Sequence, residues 1–145
     1  MLGRNVICLA FIVASSGLAA AQPLPVPSSW QNQRGSTLSI SSIDSFGNFR
    51  GTYINRASGF GCQNSPYPVV GYTSGSTVNF VVTWNNNVMN CLSVTAWNGA
   101  INGATLTTYW QLGAGNPNNG QVSISYGQDY FQRIAAGARG SKARR

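Results

Sequence analysis

From residue 28 onward, short runs of threonine, valine, isoleucine and aromatic residues alternate with clusters of glycine, asparagine, serine and proline. Runs of this length with period-two alternation predict strands, and the intervening clusters predict turns. Strands are expected near 29–33, 36–43, 48–55, 67–73, 77–84, 92–98, 105–112 and 120–132. The punctuation between them reads "RGS", "DSFGN", "TSGS", "NNN", "NGAINGA" and "GAGNPNNG". Helical periodicity is almost absent after residue 22. Eight strands joined by hairpin-length connections fit an all-β, eight-stranded antiparallel up-and-down β-barrel, which closes on itself and exposes no sheet edge.

The polar residues inside these runs do not alternate as a simple core would. In "SSWQNQRGST", Trp30 and Asn32 share a face, although an unpaired buried amide costs a few kcal/mol. In "GTYINR", Tyr53 and Asn55 share a face; in "NCLSVTAWNG", Ser93, Thr95 and Trp97 do. Phe80, Val82 and Trp84 align, as do Trp110 with Leu112 and Asp129 with Phe131. For one strand, the plain reading is an aromatic core face with polar groups turned to water. Across many strands, tryptophan and hydroxyl keep the same parity. Aromatic walls with a few placed hydrogen-bonding groups describe a small-molecule pocket. The ligand it fits is compact, largely apolar and capped by a polar head.

Residues 1–21 carry one basic residue (Arg4), an apolar run from Val6 to Ala14 and a small-residue end, "LAAA". This is the pattern of a signal peptide cleaved near Ala21, and its apolar run is too short to span a bilayer. A secreted or periplasmic protein is expected. Cys8 leaves with the signal, so Cys62 and Cys91 form an even pair in an oxidising compartment and argue for one disulfide. One domain is expected at 22–134, opening on the proline-rich "QPLPVPS", followed by a basic, solvated tail at 135–145.

The net charge of +7 changes little once it is located. Arg133, Arg139, Lys142, Arg144 and Arg145 cluster at the C-terminal end, with no groove-reading element beside them, so no nucleic-acid partner is expected. The chain has no histidine and only two acids, Asp44 and Asp129. A Ser-His-Asp or Cys-His triad is excluded, no metal site or catalytic cofactor is expected, and Asp44 sits in a turn where aspartate commonly caps the backbone. A binding protein, not an enzyme, is expected.

The motifs "WQNQRGST", "GTYINRASG", "VVTWNNN", "SVTAWNG", "TTYWQL" and "GQDYF", in this order and spacing, resemble the avidin/streptavidin family of biotin-binding proteins over residues 29–134. Eight-stranded barrels can hold one small ligand, streptavidin being one of the cases on which that generalisation rests. "GCQNSPYP" and "WNNNVMNC" are more similar to the dimeric, rhizavidin-like branch, in which a disulfide joins the matching loop and strand. The resemblance implies roles for matching positions. Asn32, Ser36 and Tyr53 would donate to the ureido oxygen of biotin. Asp129 would accept from one ureido N–H, with Asn55 at the place of a contact to the other. Thr95 would lie near the thioether sulfur. Trp84, Trp97 and Trp110 would box the bicyclic ring. Ser93, Ala57 and Ser58 would lie where the valerate tail leaves. Trp30 would support the floor. Tetrameric relatives carry a further tryptophan that covers the neighbouring subunit's ligand; here Gln121 stands in its place, which favours a homodimer. The competing readings are a lectin-like carbohydrate-binding barrel, with its tryptophans along an open groove, and an inhibitor or structural surface protein whose tryptophans are merely core.

Overall fold

The computed structural model describes residues 23–135. The expected signal peptide at 1–21 and all of the expected tail except Ala135 lie outside the described residues. The strands are β1 (Ser28–Asn32), β2 (Thr37–Ile43), β3 (Asn48–Ile54), β4 (Pro66–Ser74), β5 (Thr77–Asn85), β6 (Asn90–Asn102), β7 (Thr105–Gly115) and β8 (Val122–Ile134). Each pairs antiparallel with the next, and β8 returns to β1 through Asn32↔Phe131 and Trp30↔Arg133, closing the barrel.

The main departure from the sequence reading is the greater length of β6 and β7, while β8 keeps its expected length and starts two residues later. "NGAINGA" contains two Asn-Gly pairs, and only the second is a turn. Gly103 takes a positive φ of 61° between β6 and β7. Gly99 stays inside β6, where a Cβ would collide with the Thr107 carbonyl of the neighbouring strand. Close backbone approach, not a change of direction, requires that glycine. β7 likewise runs on into "GAG", paired from Gly113↔Ile124 to Gly115↔Val122, so the connection to β8 is shorter than its composition suggests.

One end of the barrel is packed solid. Trp30 is 0% exposed, and its indole Nε1–H donates to Ser28 Oγ at 2.9 Å. Around it Leu38, Ile40, Phe49, Val78, Phe80, Leu106 and Phe131 are buried, each large side chain stabilising the fold by about 1.5–3 kcal/mol. Phe80 stacks on Trp97, ring centroids 4.7 Å apart and planes at 9°, at the top of this floor.

Up-and-down topology gathers the other end. There the odd strands finish and the even strands start, so the C-terminal ends of β1, β3 and β5 meet the N-terminal part of β6. The connection from β3 to β4 is the long one at this rim, and a disulfide from Cys62 within it to Cys91 of β6 holds it down, with Cα atoms 6.2 Å apart. Cross-linking residues 29 apart restricts the unfolded chain by about 3–4 kcal/mol in the chain-entropy account.

Candidate ligand-binding site

Above the floor lies a cavity of about 250 Å³, open at the rim. It falls just below the roughly 300–1,000 Å³ typical of drug-sized ligand sites, which suits a compact molecule. Its polar groups form two sets, donors on β1 to β3 and an acceptor on β8.

The donors are positioned by their own hydrogen bonds. Asn32 ends β1, and its Oδ1 accepts from the backbone N–H groups of Arg34 (3.1 Å) and Ser36 (2.9 Å), shaping the turn into β2. Its Nδ2 donates to Tyr53 Oη at 3.3 Å. The turn therefore supplies part of what the buried Asn32 requires. One amide hydrogen remains. Tyr53 Oη, already accepting, has its own proton to give. Burial first, and the charge of Asp129 second, push the Tyr53 phenol well above the usual tyrosine range, so it stays protonated and stays a donor. Ser36 Oγ accepts from the Arg56 N–H at 2.9 Å and reaches Asn55 Oδ1 only at 3.4 Å. That contact is weak, which leaves the hydroxyl proton available. Three donors thus converge on one region.

Asn55 is more a brace than a free contact. Its Oδ1 accepts from Ala57 N at 3.0 Å, and its Nδ2 donates to Gly61 O at 2.9 Å. Both bonds fold the loop after β3 back over the rim.

The acceptor is Asp129, 3% exposed. Its Oδ2 accepts from Trp97 Nε1 at 2.9 Å and its Oδ1 from Gln33 Nε2 at 3.2 Å. Gln33 is itself held, donating to Gln128 O and accepting from the Tyr130 N–H at 2.9 Å. Each carboxylate oxygen retains accepting capacity towards the cavity.

The aromatic wall joins the two sets. Tyr53 lies 5.0 Å from Trp97 and 5.7 Å edge-on from Trp84, and the two tryptophans are 6.4 Å apart. Trp84 Nε1 donates to Thr95 Oγ1 at 2.7 Å, which fixes both side chains. Trp110 stands half-buried at the rim, perpendicular to Phe60.

Asn32, Ser36, Tyr53, Asn55, Ala57, Trp84, Ser93, Thr95, Trp97, Trp110 and Asp129 all line this one cavity. Ser58 does not: the loop turns its side chain to solvent. Trp30 lies in the floor outside the lining, and Gln121 is exposed in the β7–β8 connection. Trp84, Trp97 and Trp110 meet in a pocket and not along an open groove, which weighs against the lectin-like reading. Sequence reasoning missed Arg34, Phe60 and the inward placement of the disulfide, all of which line the cavity. Only the long connection, with a cysteine within it and an aromatic between two glycines, hinted that a loop would return over the pocket.

A family model described as the avidin family matches residues 20–134. Afifavidin of Afifella pfennigii is 41% identical over 138 residues, covering 85% of this chain and 84% of that protein. Among solved structures, apo shwanavidin superposes with a TM-score of 0.71 at 47% identity, covering 79% of this chain and 100% of that one. The rhizavidin–biotin complex gives a TM-score of 0.70 at 45% identity, covering 77% of this chain and 94% of that one. With its barrel, its cavity and these matches along nearly the whole described length, the chain belongs to the avidin family.

Proposed function

We propose that this chain is an exported, non-catalytic biotin-binding protein. The observation that carries the reading is the arrangement of Asn32, Ser36 and Tyr53 as donors and Asp129 as acceptor inside an aromatic cavity. A cyclic urea needs both: donors at its oxygen and an acceptor at its N–H. The structural relative rhizavidin is known as a biotin complex. A binding role also agrees with the state of the ionisable groups, since Tyr53 holds its proton and both oxygens of Asp129 are engaged. Export rests on the signal pattern at 1–21 and agrees with the Cys62–Cys91 bridge.

Because biotin binds only the folded chain, ligand at about 1,000 times its dissociation constant stabilises the fold by about 4 kcal/mol. A domain of this size should then melt roughly 10–20 °C higher. Thermal melting with and without excess biotin tests the function. An unchanged melting temperature would refute it.

The proposed assembly is a homodimer. Besides Gln121, the outer faces of β6 to β8 support it: Val94, Tyr109, Val122, Ile124 and Tyr126 are exposed there on adjacent strands, Tyr126 to 82%. Contiguous apolar surface of this kind marks association sites. Light scattering should give twice the monomer mass; a stable tetramer or monomer at micromolar concentration would contradict it.

A further inference from the structure

One cation stands at the cavity mouth without an anion. Arg34 lies in the turn between β1 and β2, and its guanidinium carbon sits 5.9 Å from the ring centroid of Phe60 and 5.9 Å from that of Trp110. The two rings are perpendicular, 6.4 Å apart, so the guanidinium occupies the angle between them. Neither acid in the sequence serves as its counter-ion. Asp44 is bonded within its own turn to Phe46 and Asn48, and Asp129 is bonded to Trp97 and Gln33. Among the described residues the Arg34 guanidinium makes no hydrogen bond or ion pair; only its backbone N–H is used, by Asn32. Arg56, the other cation beside this turn, is spent on Gly35 O and Thr37 Oγ1.

We propose that Arg34 is a specificity-determining residue that recognises the carboxylate end of the ligand, so that the site prefers the free acid to its neutral amides. The inference rests on the biotin reading. With the polar head held deep at Asp129 and the Asn32 trio, the acyl chain points past Trp110 towards the rim, where its carboxylate meets Arg34. The aromatic corner matters as much as the charge. A guanidinium lying against rings keeps its in-plane N–H groups free and is held near one position, so a carboxylate can be bound with less loss of side-chain freedom. The site is partly open to solvent, so the attraction is modest and screened by salt. An amide-linked biotin, as on a lysine side chain, presents no charge there and forgoes it.

The test compares the affinities of the mature protein for biotin and for biotinamide, in which the carboxylate is replaced by a neutral group of similar shape. The native protein should favour biotin by about three- to tenfold at low salt, and the preference should shrink in about 0.5 M salt. Arg34→Gln should abolish the preference by weakening biotin binding about three- to tenfold more than it weakens biotinamide binding. Arg34→Lys, which keeps charge but not the planar fork, should keep part of it. Arg50→Gln, the same charge change on the outside of β3, should keep all of it. An undiminished preference in Arg34→Gln, equal weakening of both ligands, or no preference in the native protein would overturn the inference while leaving the biotin reading intact. Failure of the native protein to bind either ligand would sink the biotin reading itself, and this inference with it.

Discussion

Asp129→Ala is expected to speed biotin dissociation by about 30- to 1,000-fold, equivalent to roughly 2–4 kcal/mol, while Asp44→Ala leaves it unchanged. The two acids differ in everything but chemistry. Asp44 is exposed, and bonds from its own turn, led by Asn48, hold its carboxyl below the usual aspartate range. Asp129 is buried on the inner face of β8, between the Trp97 indole and the Gln33 amide. In the proposed complex a ureido N–H would donate to it in a charge-assisted bond, polarising the urea towards its oxygen and so strengthening the donation from Asn32, Ser36 and Tyr53. Removal of the carboxylate also leaves Trp97 Nε1 without its acceptor and frees the ring that forms part of the wall. The loss therefore exceeds that of one neutral hydrogen bond. Dissociation rates of both variants under one set of conditions provide the check. Comparable losses would mean that Asp129 does not meet the ligand.

Trp30→Ala should lower the unfolding free energy by about 3–5 kcal/mol, the usual cost of emptying a buried aromatic site. Trp110→Ala should do the reverse in kind: a small loss of stability and a large loss of affinity. The contrast follows from where the same side chain sits. Trp30 is sealed in the floor and outside the cavity lining, whereas Trp110 is half-buried at the rim and faces the open volume. Denaturant unfolding and biotin dissociation, measured on both variants, separate the roles. Should Trp30→Ala not accumulate as folded protein, Trp30→Phe keeps most of the volume and should bind biotin at the native rate. Weakened binding in Trp30→Phe at unchanged stability would place Trp30 in the ligand site.

The parity of side chains carried most of this fold. Period two is rigid in a strand, so once Trp97 faces inward, Thr95 and Ser93 must as well, and the shared parity of tryptophan and hydroxyl was visible before any contact was known. Glycine was less legible. Along β6 and the turn after it the same dipeptide serves once within the strand against a neighbouring backbone and once as a turn, and only the partner strand distinguishes Gly99 from Gly103. The loop after β3 was least legible. Its path is set by long-range partners, the Cys62–Cys91 bridge and the bonds of Asn55, so nothing local told that Phe60 would lean over the cavity while Ser58 turned away. Asn32 was legible as an oddity but not in its cause. Its side-chain oxygen is satisfied by the turn it begins, and the remainder of its amide is what the cavity offers to a ligand.

Calorimetric titration of the mature protein with biotin tests the central claim most directly. One biotin should bind per chain, with favourable enthalpy from the converging hydrogen bonds and a negative heat-capacity change as the wall of Trp84, Trp97 and Trp110 is desolvated. No heat of binding with tens of micromolar protein, at two temperatures and with the chain shown to be folded, would contradict the account.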